Sequence, residues 1–232
     1  MAKGKLSPKE LILKLLREKS ALKQDIFQNI QLRFGDFKKE LRQLADELRA
    51  EAVKFDNRIS IEYKERSVHE VELLIAGDLL IFHMHTNVFE FDKNHPVWKS
   101  SYVKENPYNS YCGMIMVYNF LADSFKYNRV NDIGYLIARI FINKENHFFV
   151  EGKRQLGFLY NDFVNSTIDK DAIRRICEST ILYALDFDLL TPPFEAVKEV
   201  SVSELLEAAN QMQLKTGKRL GFRFQADTDQ FE

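Results

Sequence analysis

The sequence predicts an α+β fold: a mainly antiparallel sheet of six or seven strands, flanked by a long N-terminal helix and two C-terminal helices. Three observations carry this expectation. From Leu11 to Phe55 the apolar residues recur in steps of three and four, the period of a helix with one buried face. From about residue 58 to about residue 160 the pattern changes to short runs rich in β-branched and aromatic residues, parted by turn residues. Beyond about residue 167 the helical period returns. The chain therefore divides into a helical extension over 1–56, packed on the sheet or on a partner helix, and an α+β domain over 57–232. In that domain helices are expected at about 167–186 and 202–215.

Ser7-Pro8-Lys9-Glu10 opens the first helix. Ser7 can cap it, Pro8 suits its first turn, and Glu10 completes a capping box. Leu11, Leu15, Leu22, Ile26 and Ile30 start the apolar stripe, and Phe34, Phe37, Leu41, Leu44 and Leu48 continue it. Ser20 is a possible break and Gly35 a weak point, so a short helix followed by one of more than about thirty residues is expected. Residues 1–55 carry 13 Lys and Arg against 8 Asp and Glu, a net of +5. A solvated helix face accounts for that excess; a basic arm touching a polyanion is the sharper alternative. Residues 22–55 are also the segment through which self-association is expected.

After a turn at Asp56-Asn57, Ile59, Ile61 and Tyr63 alternate with polar residues, as in a strand with one wet face. Residues 68–92 read as two long apolar strands folded back at Ala76-Gly77-Asp78. The second carries Leu80, Phe82 and Met84 on one side and Leu79, Ile81, His83 and His85 on the other, which predicts a central strand covered on both faces. Residues 93–111 read as a long irregular loop, because Asn, Ser and Pro interrupt it. Strands follow at 112–121, at 133–143 and from His147 to Arg154, with a four-residue turn at Asn143-Lys144-Glu145-Asn146; 156–160 extends the last strand or adds another. Ser166 or Asp169 caps the next helix, and Thr191-Pro192-Pro193 ends that region. Leu220, Phe222 and Phe224 suit a final edge strand.

The bulk composition narrows the function classes. The chain has 232 residues, 45% hydrophobic and 29% charged, with 19 Phe and 9 Tyr, a balance that suits an aromatic, sheet-rich core. A formal net charge of −1 supplies no field that would draw nucleic acid or an anionic membrane. Two widely separated cysteines, Cys112 and Cys177, do not make a disulfide scaffold. With no apolar leader and no apolar run of about 20 residues, a soluble cytoplasmic protein is expected.

Three groups of residues could carry function. His83 and His85 alternate on one strand, so both imidazoles share a face and could converge on a divalent transition metal. The spacing of Gly77, His83-Met84-His85 and Glu90 resembles the first motif of the cupin family. That resemblance implies a metal held in a β-barrel by His83, His85, Glu90 and a later His, for which His147 is the candidate. Val97 stands where the family pattern has Gly, and no second motif follows. On a straight strand Glu90 faces away from both His residues, so the site requires a kink near Thr86-Asn87.

Glu151-x-Lys153, after an apolar run, resembles the half-motif of the PD-(D/E)xK nucleases, which implies carboxylates binding Mg²⁺ with Asp132 as the preceding acid. If residue 142 faces 147 across the turn, then 138 faces 151 and Asp132 lies about 20 Å from Glu151. The third group is the 93–111 loop. His95, Trp98, Lys99, Tyr102, Tyr108 and Tyr111 mix rigid aromatics with hydrogen-bond donors, the composition of a binding surface, and equally that of a loop folded onto its own sheet. No nucleophile elbow, P-loop or dinucleotide fingerprint occurs. The function expected is therefore a non-enzymatic module that binds a small molecule or a protein. The alternatives are a metal-dependent enzyme on the His-x-His pair and a Mg²⁺-dependent nuclease on Glu151 and Lys153.

Overall fold

A computed structural model describes residues 7–203. The helix expected at 202–215 and the strand expected at 220–224 lie outside, or almost outside, the described residues. In chain order the elements are α1 (Pro8–Leu15), α2 (Ala21–Phe55), β1 (Ile61–Ser67), β2 (Glu70–Ile75), β3 (Asp78–Met84), β4 (Phe89–Glu90), α3 (Ser101–Glu105), β5 (Tyr111–Leu121), α4 (Ala122–Lys126), β6 (Tyr135–Asn143), β7 (Phe148–Gly152), α5 (Gln155–Leu159), α6 (Lys170–Leu185) and α7 (Phe194–Val197).

The N-terminal capping box forms as its residues predict: Glu10 N–H donates to Ser7 Oγ, and Ser7 N–H donates to Glu10 Oε2 at 2.8 Å. A π-helical turn, Leu16–Ser20, joins α1 to α2 with helical backbone at both junctions. The break expected at Ser20 is thus a local widening of a continuous helix. Gly35 lies within the 35-residue α2 without interrupting it.

Seven antiparallel strands make one sheet in the order β1-β2-β3-β5-β6-β7, with β4 paired to β5 beyond the end of β3. The α+β class and the antiparallel sheet are those expected from the sequence. α2 lies across one face. Ile26, Ile30, Phe34, Phe37, Leu41 and Leu44 are all buried, spaced in threes and fours as one helix face requires. From Ile30 onward they join Leu73, Leu80, Phe82, Ile115, Val117 and Ile140 from the sheet, and Ile173, Ile176 and Ile181 from α6, in the main core. Burying each such side chain contributes about 1.5–3 kcal/mol. Gly113 of β5 is what lets α2 come so close, because a Cβ there would stand 2.7 Å from the Cβ of Ile30.

Part of the opposite face of the sheet, around Cys112, Met114 and Phe141, is covered by residues 91–111. This segment is not irregular. It forms a 3₁₀ turn at Pro96–Lys99, then α3, then a second 3₁₀ turn at Pro107–Ser110. Each turn starts on a side-chain cap: His95 Nδ1 accepts from Val97 N–H, Ser100 Oγ from Val103 N–H, and Asn106 Oδ1 from Tyr108 N–H. The Asn, Ser and Pro residues that looked like breakers are helix starters. Val97 and Val103 then bury against Cys112, Met114, Phe141, Phe149 and Phe163 in a second core.

Three further expectations change. Residues 155–159 form α5, a helical turn that buries Leu156, not a strand. The strand expected from residue 68 starts at Glu70, because Val68-His69 makes a tight turn back from β1, with Ser67 paired to Glu70. Across the β6–β7 turn residue 142 pairs with 148 instead of 147, so Arg139 and not Ala138 faces Glu151. The extra residue is taken up at Asn146, whose φ is 66°, while Asn143 Oδ1 accepts from the N–H groups of Glu145 and His147.

Candidate functional site

The residues expected to hold a metal are each turned to a different neighbour. The chain does bend at Thr86-Asn87. Met84 pairs with Ile115 and Phe89 with Cys112, so one strand takes five steps (84 to 89) against three (115 to 112) on the other. Two extra residues leave the side-chain parity unchanged. Phe89 therefore shares the His83 face, and Glu90 stays on the opposite face, paired with Tyr111. There it accepts from Tyr111 Oη at 2.7 Å and from Lys93 Nζ at 2.8 Å. The Lys93 ammonium, then the Tyr111 hydroxyl, hold its carboxyl below the usual carboxylate range.

His83 Nδ1 lies 3.3 Å from Glu70 Oε2. His85 Nδ1 accepts from Asn87 N–H, and its ring packs edge-on against Phe89. His147 Nδ1 donates to the carbonyl of Phe163, and its ring stacks on Tyr102 at 4.5 Å between centroids. Among the described residues no group of three or more His, Cys, Asp or Glu side chains comes together as metal ligands. Asp132 and Glu151 are likewise apart in their bonding. Asp132 accepts from Ser124 Oγ at 2.7 Å and pairs with the buried Arg129, whereas Glu151 pairs with Arg139 and with His95 Nε2.

The aromatic residues of 93–111 divide between core and surface. Trp98 joins the second core, donates Nε1–H to the Phe91 carbonyl at 3.1 Å, and carries Lys93 Nζ 3.3 Å from its ring centroid. His95 stacks on Phe91. Tyr111 is buried, with Lys19 and Lys23 over its ring. Lys99 stays exposed. Tyr108 lines a concavity, and Tyr102 bonds to two of the residues that line it, Asn143 and Glu145.

That concavity is a groove of about 280 Å³ where three parts of the chain meet. The first wall is the start of the long helix, with Arg17, Glu18, Ala21, Leu22 and Asp25 on one flank. The second is the 3₁₀ turn, with Asn106, Tyr108 and Asn109. The third is the β6–β7 turn, with Asn143, Lys144 and Glu145. Asn143 is the keystone: only 1% exposed, it accepts from Asn29 Nδ2 through its carbonyl and donates Nδ2–H to Tyr102 Oη at 2.8 Å. Tyr102 Oη in turn donates to Glu145 Oε2 at 2.6 Å. Burial first, then the Glu145 carboxylate, push the Tyr102 phenol above its ordinary range. Besides the Asn29 bond, two contacts tie the helix to the other walls: Lys144 Nζ to Asp25 Oδ2 at 2.9 Å, and Tyr108 Oη to Glu18 Oε2 at 3.4 Å.

The groove wall thus carries two cations, Arg17 and Lys144, and three carboxylates, Glu18, Asp25 and Glu145. Among the described lining residues there is no Ser, Cys or His. Its residues, Tyr108 apart, are not among those singled out from sequence. The helix charges recur every three or four residues, as on any solvated face, and Asn143–Asn146 carries only the signature of a turn. Comparisons with protein-family models, with curated proteins and with solved structures find no match.

Proposed function

We propose that this protein is a non-enzymatic binding module whose groove takes a small polar ligand bearing charges of both signs, of the size of an amino acid or a short peptide. The observation that carries the proposal is the wall itself: opposite charges and neutral amides converge from three separate segments on about 280 Å³. That volume lies just below the range of about 300–1,000 Å³ usual for drug-sized ligands, and the wall is more polar than most such sites. A ligand anion would meet Arg17, and a ligand cation the free edges of Glu18 and Glu145, with Tyr108 as a flat side wall.

Melting of the full chain against a panel of free amino acids and short peptides tests this. A ligand at a hundred times its Kd stabilises the folded state by about 2.7 kcal/mol, a shift of several degrees, and Arg17→Ala or Tyr108→Ala should remove the shift while leaving the ligand-free melt in place. A panel without any stabilising member would overturn the proposal.

The same reading places the module in a reducing compartment such as the cytoplasm, supported by two buried cysteines that are both free. No helix among the described residues is long and apolar enough to cross a membrane. Self-association also belongs to the proposal, but the apolar face of residues 22–55 expected to supply it is occupied by the protein's own sheet.

A further inference from the structure

The two edges of the sheet are finished differently. Beside β7 the outer backbone groups are in use: Phe148 N–H donates to the carbonyl of Ser166 at 3.1 Å, and Val150 N–H to that of Tyr160 at 2.7 Å. β1, at the other end of the strand order, pairs with β2 on one side, and no described strand lies on its other side. The Ser60 carbonyl accepts from Ala76 N–H at 2.8 Å. By the alternation of an antiparallel ladder, Glu62 and Lys64 then bond inward, and Ile61, Tyr63 and Glu65 present their N–H and C=O groups outward. Arg49 Nε caps the Ile61 carbonyl at 2.7 Å, and Lys38 Nζ caps the Ser67 carbonyl at 2.8 Å. Between these caps the outward groups of Tyr63 and Glu65 meet no backbone partner among the described residues. Arg42 and Lys38 hold the Tyr63 and Glu65 side chains on the α2 face.

We propose that β1 pairs antiparallel with β1 of a second copy, about a two-fold axis at Tyr63, so that the two sheets run on as one. The charges select both the occupant and the register. Ile61 and Tyr63 pack toward the main core, so Glu62 and Lys64, on either side of Tyr63, share the sheet face turned away from α2. Both side chains are exposed, and neither is ion-paired among the described residues. Glu72, opposite Lys64 on β2, is bonded to Arg66 Nε at 2.7 Å. With the axis at Tyr63, Glu62 of each copy stands directly opposite Lys64 of the other, and the pair forms twice. Only registers that set outward residues against outward residues make bonds, so the nearest alternatives move the axis to Glu62 or to Lys64. Those set Glu62 against Glu62, or Lys64 against Lys64; the Glu62–Arg66 pairs that the second would offer are pre-empted by Glu72. In the favoured register the two Tyr63 residues exchange a pair of backbone bonds, and Ile61 of each copy faces Glu65 of the other. So few rungs make an interface below the standard size, and the dimer dissociates on dilution. The proposal stands apart from the groove: its readout is mass, and the readout of the groove is ligand-induced stabilisation.

Sedimentation equilibrium of the full chain over a roughly hundredfold concentration range tests the pairing, with charge exchange as the specific arm. The unmodified chain should show a monomer–dimer equilibrium. Glu62→Lys and Lys64→Glu, each alone, should weaken the dimer by about tenfold or more, since both cross pairs become repulsive, and should leave the circular dichroism spectrum unchanged. An equimolar mixture of these two variants should dimerise again, because each then presents the charge the other lacks. Amide hydrogen exchange reads the backbone directly. The Tyr63 and Glu65 amides should slow as concentration rises, whereas those of Glu62 and Lys64, bonded to β2, should be slow at every concentration. A monomer at every concentration overturns the proposal. So does a dimer that both charge variants leave intact, which puts the interface elsewhere, or a mixture no tighter than its components. Protection of the Tyr63 and Glu65 amides in a strictly monomeric sample would assign the edge to the chain's own residues 204–232, and would also overturn it.

Discussion

Replacing Gly113 by alanine tests how closely α2 is seated on the sheet. The new Cβ would stand 2.7 Å from the Cβ of Ile30, 2.8 Å from its Cγ1 and 2.9 Å from its Cγ2. Ordinary carbon contacts lie at about 3.5–4.0 Å, so α2 must lift by most of an ångström at Ile30. The obstacle begins at Ile30's own Cβ, which a rotamer change cannot move. Two effects oppose each other. Removing a glycine from a strand restricts the unfolded chain and favours folding by about 0.5–1 kcal/mol. Overpacking a close-packed core costs about 1–3 kcal/mol. The overpacking wins, and Gly113→Ala should destabilise by about 1–2 kcal/mol. Ile30→Ala should cost about 2–5 kcal/mol through the cavity it leaves. Ile30→Ala leaves the Cβ in place but removes Cγ1 and Cγ2, two of the three clashing atoms, so the double variant should be more stable than the sum of the two by about 1 kcal/mol or more. Urea unfolding followed by circular dichroism measures all three, with a common slope confirming that only stability has changed. A harmless Gly113→Ala, or losses that add within about 0.5 kcal/mol, would refute the contact between α2 and β5.

Two other outcomes follow from burial. Cys112 and Cys177 are fully buried, which raises both thiols, so native protein should not react with a thiol reagent, and both should react at the global unfolding rate in denaturant; labelling under native conditions faster than unfolding would contradict this. Burial, with the acceptors Glu65 and Glu145, pushes the Tyr63 and Tyr102 phenols above the ordinary tyrosine value of 10.0. The folded state then holds those protons more tightly than the unfolded state, so their stabilising effect is complete below about pH 10 and is lost as pH rises above it. In a spectrophotometric titration Tyr63→Phe and Tyr102→Phe should each remove the latest phenolate to appear, and removal of an early one would contradict the placement.

Much of the fold was legible because two periods are unambiguous over long stretches. The apolar spacing from Ile26 to Leu44 predicts the buried face of α2, and Leu80, Phe82 and Met84 lie on the α2 side of β3 as their alternation requires. The misses have local causes. Val68-His69 turns the chain without Gly, Asn or Pro, so nothing marks it. At Ala76 and Asn146 a positive φ sits on a non-glycine residue, which shifts turn geometry in a way composition does not report. In residues 93–111 the polar residues were legible as interruptions, but their role as caps depends on which N–H groups they meet. The kink at Thr86-Asn87 could be posed as a question from sequence. Its answer, a two-residue insertion that keeps Glu90 on the far face, needs the register of β5. The groove was the least legible feature, because it unites residues more than a hundred positions apart through Asn143, Tyr102 and Lys144.

The central claim is that the junction of the long helix, the 3₁₀ turn and the β6–β7 turn is a binding site. Backbone amide shifts of isotope-labelled protein, recorded while titrating the ligand that most raises the melting temperature, test it most directly. The account predicts saturating shifts clustered at 17–25, 106–109 and 143–145, lost in Arg17→Ala. Shifts centred instead on His83, Met116 and Arg139, on the sheet's other open surface, would contradict it.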